Sequence, residues 1–466
     1  MKKVAFITLG CKVNQYETNA MSQKFIESGY QLVEHTEEAD IYIVNTCTVT
    51  NMSDRKSRQM LRKMKEQNPK AILIAVGCYA QVGRQELEKI PEIDFVLGNH
   101  EKVNIVEYLE KKIEFKISDL MQEKDYEEYG DITFSEKTRA VIKIQDGCDR
   151  FCTYCIIPYA RGRVRSRNPE NIISEITKIA QRGIKEVVIT GIHIASYGKD
   201  FKNDYYLIDL LEEINKIPGI ERIRLGSIEP LLITQDFVKR LKELDKVCHH
   251  FHLSLQSGCN DTLKRMNRRY TTQEFQNIVD ILRENYDDVI LTTDIIVGFP
   301  GETEEEFNET YEFLKKIKFY KMHVFKYSPR KGTKAAVMKN QIDGNVKEHR
   351  SKILIELSDS NEAKYQEELI GKEVEILWEE EKDGFYKGHT ANYILAYYSE
   401  NKENEINEKD RNNEENEKEK DEEKINFNMA NLKEGKIQQN EKLENQIIKM
   451  KCIGREGDHI FVTKMQ

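Results

Sequence analysis

The sequence predicts an α/β protein in three parts: an N-terminal parallel-sheet α/β domain, a central partial (β/α)6 barrel and a C-terminal small β-barrel. Short apolar runs alternate with helix-period stretches over residues 1–100 and again over 140–327, the pattern of parallel strands with covering helices. From about residue 370 the hydrophobic period shortens to two, as in short antiparallel strands. At 466 residues, 39% of them hydrophobic, the chain can supply two to four cores. The expected domains are 1–120, 138–366 and 367–466. An Asn/Glu/Lys-rich insertion at about 399–440 has too few apolar residues to join a core and is expected to be disordered.

In the first domain, residues 4–9, 41–44, 71–76 and 95–97 read as buried strands. A helix is expected from about residue 17, a basic helix through about residue 65, and a third near 85–90. Each of the first three strands ends near a cysteine, in Leu9-Gly10-Cys11, Asn45-Thr46-Cys47 and Val76-Gly77-Cys78. All carboxyl ends of a parallel sheet share one edge, where open α/β sheets bind ligands. The three thiols should therefore converge, although free cysteine is also a common core residue.

A charged connector near 118–137 leads to six further strands, at 140–144, 186–190, 222–225, 251–255, 289–297 and 321–327. Site-forming residues of such a barrel gather at the carboxyl ends of its strands. There the sequence places Gly191 and His193, the run Ser227-Ile228-Glu229-Pro230, Gln256, and Asp294 on the fifth strand. The first strand leads into Cys148-Asp149-Arg150-Phe151-Cys152-Thr153-Tyr154-Cys155. A closed structural zinc site takes four ligands, and the nearest histidine, His193, is far along the chain. Disulfides are not expected in a long chain with 9 cysteines that starts Met-Lys-Lys-Val-Ala-Phe, without a signal-peptide core. Three thiolates on a [4Fe–4S] cluster would leave one iron free for a substrate or cofactor. The C-terminal strands are expected at 373–378, 386–389, 392–397, 446–452 and 459–463.

Charge is unevenly placed. The net charge of −9 alone argues against a nucleic-acid partner, but residues 400–424 hold 12 acidic against 6 basic residues, leaving a net of −3 elsewhere. Basic clusters occur at 55–70, in the series Arg161, Arg163, Arg165, Arg167, and in the group Lys264, Arg265, Arg268, Arg269. Each also reads as an ordinary solvated helix face. No stretch approaches 18 apolar residues, so no transmembrane helix and no membrane partner are expected.

The run GCDRFCTYCIIPYARGRVRSR, with Tyr154 just before the third cysteine, resembles the radical S-adenosylmethionine (SAM) superfamily. Together with TLGCKVNQYET, NTCTVTN and VGCYAQ, it makes nearly the whole chain resemble the methylthiotransferase family of radical-SAM enzymes. The resemblance implies two [4Fe–4S] clusters. Cys148, Cys152 and Cys155 would hold the one that binds and cleaves SAM to a 5′-deoxyadenosyl radical. Cys11, Cys47 and Cys78 would hold an auxiliary cluster from which a methylthio group is delivered. Within the family, LGCKVNQ and Ser227-Ile228-Glu229-Pro230 favour the branch acting on C2 of N6-threonylcarbamoyladenosine at position 37 of tRNA. Other branches act on isopentenyladenosine or on a ribosomal-protein aspartate.

The same resemblance makes Tyr154, Gly191, Glu229, Gln256 and Asp294 candidates for SAM contacts. Tyr154 equally suits packing in its loop, and Glu229, Gln256 and Asp294 suit caps or turns. It implies that the C-terminal barrel is the RNA-binding domain called TRAM, and the anticodon loop of tRNA the partner. RNA contacts are expected from that barrel, the arginine series after Cys155 and the basic helix after Cys47. Trp378, Tyr386 and Tyr393 are candidates for base stacking, or for the barrel core. An electron donor such as flavodoxin or ferredoxin, a sulfur donor of unspecified kind and a cytoplasmic location complete the expectation.

Overall fold

A computed structural model describes residues 1–111, 117–130, 132, 138–399 and 442–465. The disorder expected at about 399–440 lies, apart from Ser399, outside the described residues. Two compact units emerge, Met1–Leu357 and Ser358–Gln466, so the parallel-sheet domain and the partial barrel form one unit.

Strands β1 (Lys3–Thr8), β2 (Gln31–Leu32), β3 (Ile41–Thr46), β4 (Ile72–Gly77) and β5 (Phe95–Val96) form a parallel sheet in the order β2-β1-β3-β4-β5. Their apolar runs are continuous because both faces are covered. Ala5, Ile7, Tyr42, Val44, Leu73 and Ala75 pack on one face with Leu61 and Met64 of the helix Asn51–Gln67. Val4, Ile41, Ile43, Ile74 and Val76 pack on the other with Met21 and Phe25 of the helix Lys12–Glu27. In this strand order the chain reverses its direction of travel between β1 and β3, and ligands of doubly wound sheets bind at such a switch point. Cys11 and Cys47 follow those two strands. The first helix starts at Lys12, earlier than its sequence suggests, because Cys11 is its N-cap and provides no side-chain capping bond to signal the start.

The partial barrel uses β6 (Arg139–Asp146), β7 (Arg165–Ser166), β8 (Glu186–Gly191), β9 (Arg222–Leu225), β10 (His250–His252), β11 (Ile290–Val297) and β12 (Lys321–Lys326). Strands β6, β8 and β9 are parallel, with β7 a short antiparallel edge on β6. Strands β10, β11 and β12 form a second parallel group. Bridges Ile223–Val247 and Ile228–Leu253 join the groups, giving the six parallel strands expected. One apolar core, including Ile142, Ile189, Ile223, Phe251 and Ile295, packs against helices such as Pro169–Gln181 and Thr272–Asn285.

In the second unit, β13 (Glu373–Lys382), β14 (Phe385–Thr390), β15 (Leu395–Tyr398), β16 (Ile447–Glu456) and β17 (His459–Thr463) close a barrel in the order β13-β14-β15-β17-β16. Trp378 is fully buried in it, with Tyr398 beside it at 6.1 Å between ring centres. Trp378 is thus a core residue and not a stacking surface: it is fully buried and packs against Tyr386 and Tyr398. Tyr386 and Tyr393 are half-buried.

Candidate functional site

The three strand-end cysteines come together. Gly10 and Gly77, just before Cys11 and Cys78, have φ of +97° and +94°, a region that glycine enters without steric cost. Space demands glycine too: a Cβ on Gly10 would lie 2.8 Å from the Cys47 sulfur, and one on Gly77 would lie 2.4 Å from Asn45 Oδ1. Asn14 donates through Nδ2 to Leu9 O (2.7 Å) and Thr46 O (3.1 Å), fixing the ends that carry Cys11 and Cys47. Burial pushes the Cys47 thiol up to about 11, and the nearby Cys78 and Cys11 sulfurs push the same way. Thiols that oppose each other's ionisation need a positive centre to ionise together.

Beyond Cys47, the segment is clamped to the barrel. Arg330 donates to Thr48 Oγ1, Asn51 Oδ1 and Asp54 Oδ2, each at 2.6 Å. Cys78 is the most enclosed of the three. Arg161 Nε donates to its sulfur at 3.2 Å and Asn99 Nδ2 at 3.7 Å.

The second triad lies on one loop after β6. Thr153 Oγ1 donates to Arg265 O, Thr153 N donates to Met266 O, and Asn267 Nδ2 donates to Phe151 O. The segment 265–268 thus holds the loop from beneath. Arg268 Nη1 donates to the Cys152 sulfur at 3.5 Å. Burial pushes Cys148 up to about 11 and Cys155 to about 12, and in both the neighbouring Cys152 sulfur adds to the effect. Among the described residues no group of His, Cys, Asp or Glu is placed to hold a single metal ion. Cysteines of a [4Fe–4S] cluster bind different irons and are spaced more widely. Two sets of three mutually close thiols, each without a fourth cysteine, fit a cluster with one open iron at either place.

The strand-end candidates separate into two groups. Glu229 is buried beside the loop, accepting from Arg268 Nη2 at 3.0 Å and lying 3.4 Å from His193 Nε2. Burial pushes its carboxyl up, but His193 and Arg268 outweigh this and hold it at about 2. Gly191 ends β8 against Gln145, whose Oε1 accepts from His193 N at 2.8 Å. Gln256 follows β10 with φ +72°, unusual outside glycine, and its backbone bonds Asp294 O and Ile296 N. Tyr154 packs edge-on against Phe299, 6.4 Å between centres, with Met266 and Tyr327 nearby. Asp294 lies inside β11, three residues before its end, with its carboxylate 3.2 Å from His252 Nε2. It does not join the Glu229–Arg268–Cys152 group.

The arginine series corrects the sequence reading. Arg161, Arg165 and Arg167 are at most 1% exposed, and only Arg163 faces solvent. Arg161 pairs with Glu17 and Asp146, Arg165 with Glu127, and Arg167 with Glu128 and Glu175. They cannot contact RNA, because taking an ion out of water costs several kcal/mol (on the order of 5) that only their buried carboxylates offset. The basic helix does present Arg55, Lys56, Arg62 and Lys63 outward. Sequence reasoning missed Arg161, Arg268 and Arg330 as site residues; the first two were visible only as members of basic clusters.

Residues 142–314 match the radical SAM superfamily, and residues 3–98 match an uncharacterised protein family, UPF0004. The chain is 44% identical over 409 residues to the threonylcarbamoyladenosine tRNA methylthiotransferase MtaB of Bacillus subtilis, covering 85% of this chain and 90% of that one. The protein of the same name from Aquifex aeolicus is 44% identical over 397 residues, covering 84% and 95%. A tRNA-2-methylthio-N(6)-dimethylallyladenosine synthase from Thermoanaerobacter sp. is 39% identical over 381 residues, covering 80% and 81%. In fold, the chain is similar to the radical SAM methyltransferase TsrM from Kitasatospora setae, with a TM-score of 0.53 over 72% of this chain and 77% of that one, at 14% identity.

Proposed function

The chain belongs to the radical-SAM tRNA methylthiotransferases, and from that premise we infer that it methylthiolates C2 of N6-threonylcarbamoyladenosine at position 37 of tRNA. The observation that carries this reading is 44% identity, over at least 84% of the chain, to two enzymes named for that nucleoside, with a cysteine triad at each of two sites. The C2–H bond is too inert for acid–base chemistry, so cofactors must supply the reactive species while the protein positions them.

Cys148, Cys152 and Cys155 are assigned to the [4Fe–4S] cluster that binds SAM, and Cys11, Cys47 and Cys78 to the auxiliary [4Fe–4S] cluster. When bound, these clusters and SAM supply the radical that opens the C–H bond and the methylthio group that replaces the hydrogen. The chain's own residues set the stage. Glu229, held ionised, fixes Arg268 against Cys152, and its carboxylate would be available to the polar end of SAM. Gly191 lets the β8 end pack closely against Gln145, since a Cβ there would sit 3.0 Å from Gln145 O, and it is assigned to the amino end of SAM. Tyr154 and Gln256 are assigned to the adenine and polar ends of SAM, and Asp294, through His252, to a more remote supporting place.

The exposed cations of the basic helix and the C-terminal barrel are assigned to tRNA. A low-potential electron carrier of the flavodoxin or ferredoxin class would reduce the clusters. Among the described residues no helix is long and apolar enough to cross a membrane. A cytoplasmic location would bring together tRNA and reducing conditions.

Mass spectrometry of tRNA nucleosides from a deletion strain tests the reading. The methylthio group should vanish from threonylcarbamoyladenosine and return on complementation. Its loss from isopentenyladenosine instead would overturn the substrate assignment.

A further inference from the structure

Arg161 is buried at the end of the helix Ile157–Arg161, six residues beyond Cys155, yet its side chain belongs to the other cysteine site. Nε donates to Cys78 Sγ at 3.2 Å. Nη1 donates to Glu17 Oε1 at 2.6 Å and Asp146 Oδ2 at 3.0 Å. Nη2 donates to Asn14 Oδ1 at 2.7 Å and Glu17 Oε2 at 3.0 Å. A guanidinium has five N–H donors, and each here has an acceptor, so the fork is locked and the Nε–H can point only at sulfur.

Charge balance leads to the same place. Arg161, Lys102 and Lys143 are buried cations, and Glu17 and Asp146 are the buried carboxylates they contact. Three positive charges face two negative ones. The remaining acceptor at the fork is the Cys78 sulfur, the atom assigned to the cluster. Asn99 reinforces the link, donating through Nδ2 to both Cys78 Sγ and Ala160 O. Asn14, which accepts from Arg161, also ties together the strand ends of Cys11 and Cys47.

We propose that Arg161 is a positioning residue of the auxiliary site: it donates a fixed hydrogen bond to the Cys78 ligand sulfur and raises the reduction potential of the cluster held there. This rests on the assignment of Cys11, Cys47 and Cys78 to a cluster. Hydrogen bonds and positive charge at a ligand sulfur favour the reduced, more negative cluster. The helix that carries Arg161 leaves the SAM-site loop, so one short segment supports both sites.

The test uses the full chain carrying Cys148→Ala, Cys152→Ala and Cys155→Ala, reconstituted anaerobically, so that only the auxiliary cluster is present. It should hold about four irons. A chain with none would overturn the cluster assignment itself, separately from the role of Arg161. In that background Arg161→Gln should keep its iron and shift the midpoint potential to more negative values, read by electron paramagnetic resonance during redox titration. Arg161→Lys should recover part of the shift by restoring the charge. Iron retained with an unchanged potential would overturn the proposal. Should Arg161→Gln lose its cluster, the background protein with Arg161 intact is labelled with 15N-arginine. A hyperfine coupling from a guanidinium nitrogen to the reduced cluster supports the hydrogen bond, and its absence overturns it.

Discussion

The two cysteine triads reach similar donor sets by opposite routes. Cys148, Cys152 and Cys155 lie within eight residues on a single loop, whereas Cys11, Cys47 and Cys78 come from three strand ends spread over 68 residues. The loop site is set by its own chain path, pinned from beneath by the segment that carries Arg268. The strand-end site depends on the register of β1, β3 and β4 and on long-range ties from Asn14, Arg161 and Arg330. A contiguous site can thus survive damage elsewhere in the fold, while an assembled one inherits every weakness of the sheet that builds it.

Separating the two chemically gives the largest expected effect. Cys152→Ala and Cys47→Ala should each abolish tRNA methylthiolation and each lower the iron content from about eight to about four per chain. Only Cys152→Ala should also stop the release of 5′-deoxyadenosine from SAM. If Cys47→Ala stopped it equally, the two sites would not be independent.

Arg330→Ala probes the dependence of the assembled site on its ties. Removal of the guanidinium leaves Asp54 buried without its ion-pair partner, which should cost about 3 kcal/mol of stability in a denaturant titration. Iron should be lost from the auxiliary site first, with 5′-deoxyadenosine release persisting. Equal loss from both sites would show that the loop triad leans on the same contacts.

A pH effect separates them further. The Glu229 carboxyl is held at about 2, down from the ordinary 4.5. A carboxyl depressed on folding adds stability that is fully present above about 4.5 and is lost as the pH falls towards 2, an effect of roughly 3 kcal/mol at most. Glu229→Gln should therefore be less stable than wild type at pH 6, with the gap narrowing as the pH falls below 4.5 towards 2. A gap independent of pH would mean that packing, and not the contacts with His193 and Arg268, is what the carboxylate contributes.

What the sequence made legible follows the same division. The loop triad is written in one spacing, and the strand-end triad in three period changes, each closed by a cysteine. The partners of those cysteines were not legible. Arg161 alternates with Arg163, Arg165 and Arg167 at every second residue, which resembles a solvated basic strip. The acids that draw three of them inward, Glu17, Glu127, Glu128, Glu175 and Asp146, lie on segments 8 to 144 residues distant, and no local pattern marks such pairs. Trp378 was legible only as a stacking residue or a core residue, and its full burial in the barrel decides for the core.

Arg163 is the exception in that strip, and it offers the smallest and most discriminating test. It pairs with Asp149 at 3.2 Å on the surface, each side chain about half exposed, and stacks over Phe151 at 5.2 Å. An exposed pair of this kind is worth at most about 1 kcal/mol, so Arg163→Ala should leave the iron content and the melting midpoint nearly unchanged. The same substitution at Arg165 or Arg167 should instead cost stability, because each removes the guanidinium paired with a buried carboxylate, Glu127 or Glu175. A guanidinium free to meet a phosphate should weaken tRNA binding modestly when removed and lower the slope of log affinity against log salt by about one. Binding measured over a salt series reads that slope directly. A slope unchanged in Arg163→Ala would place the tRNA backbone away from the SAM-site loop and leave the basic helix and the C-terminal barrel to hold it.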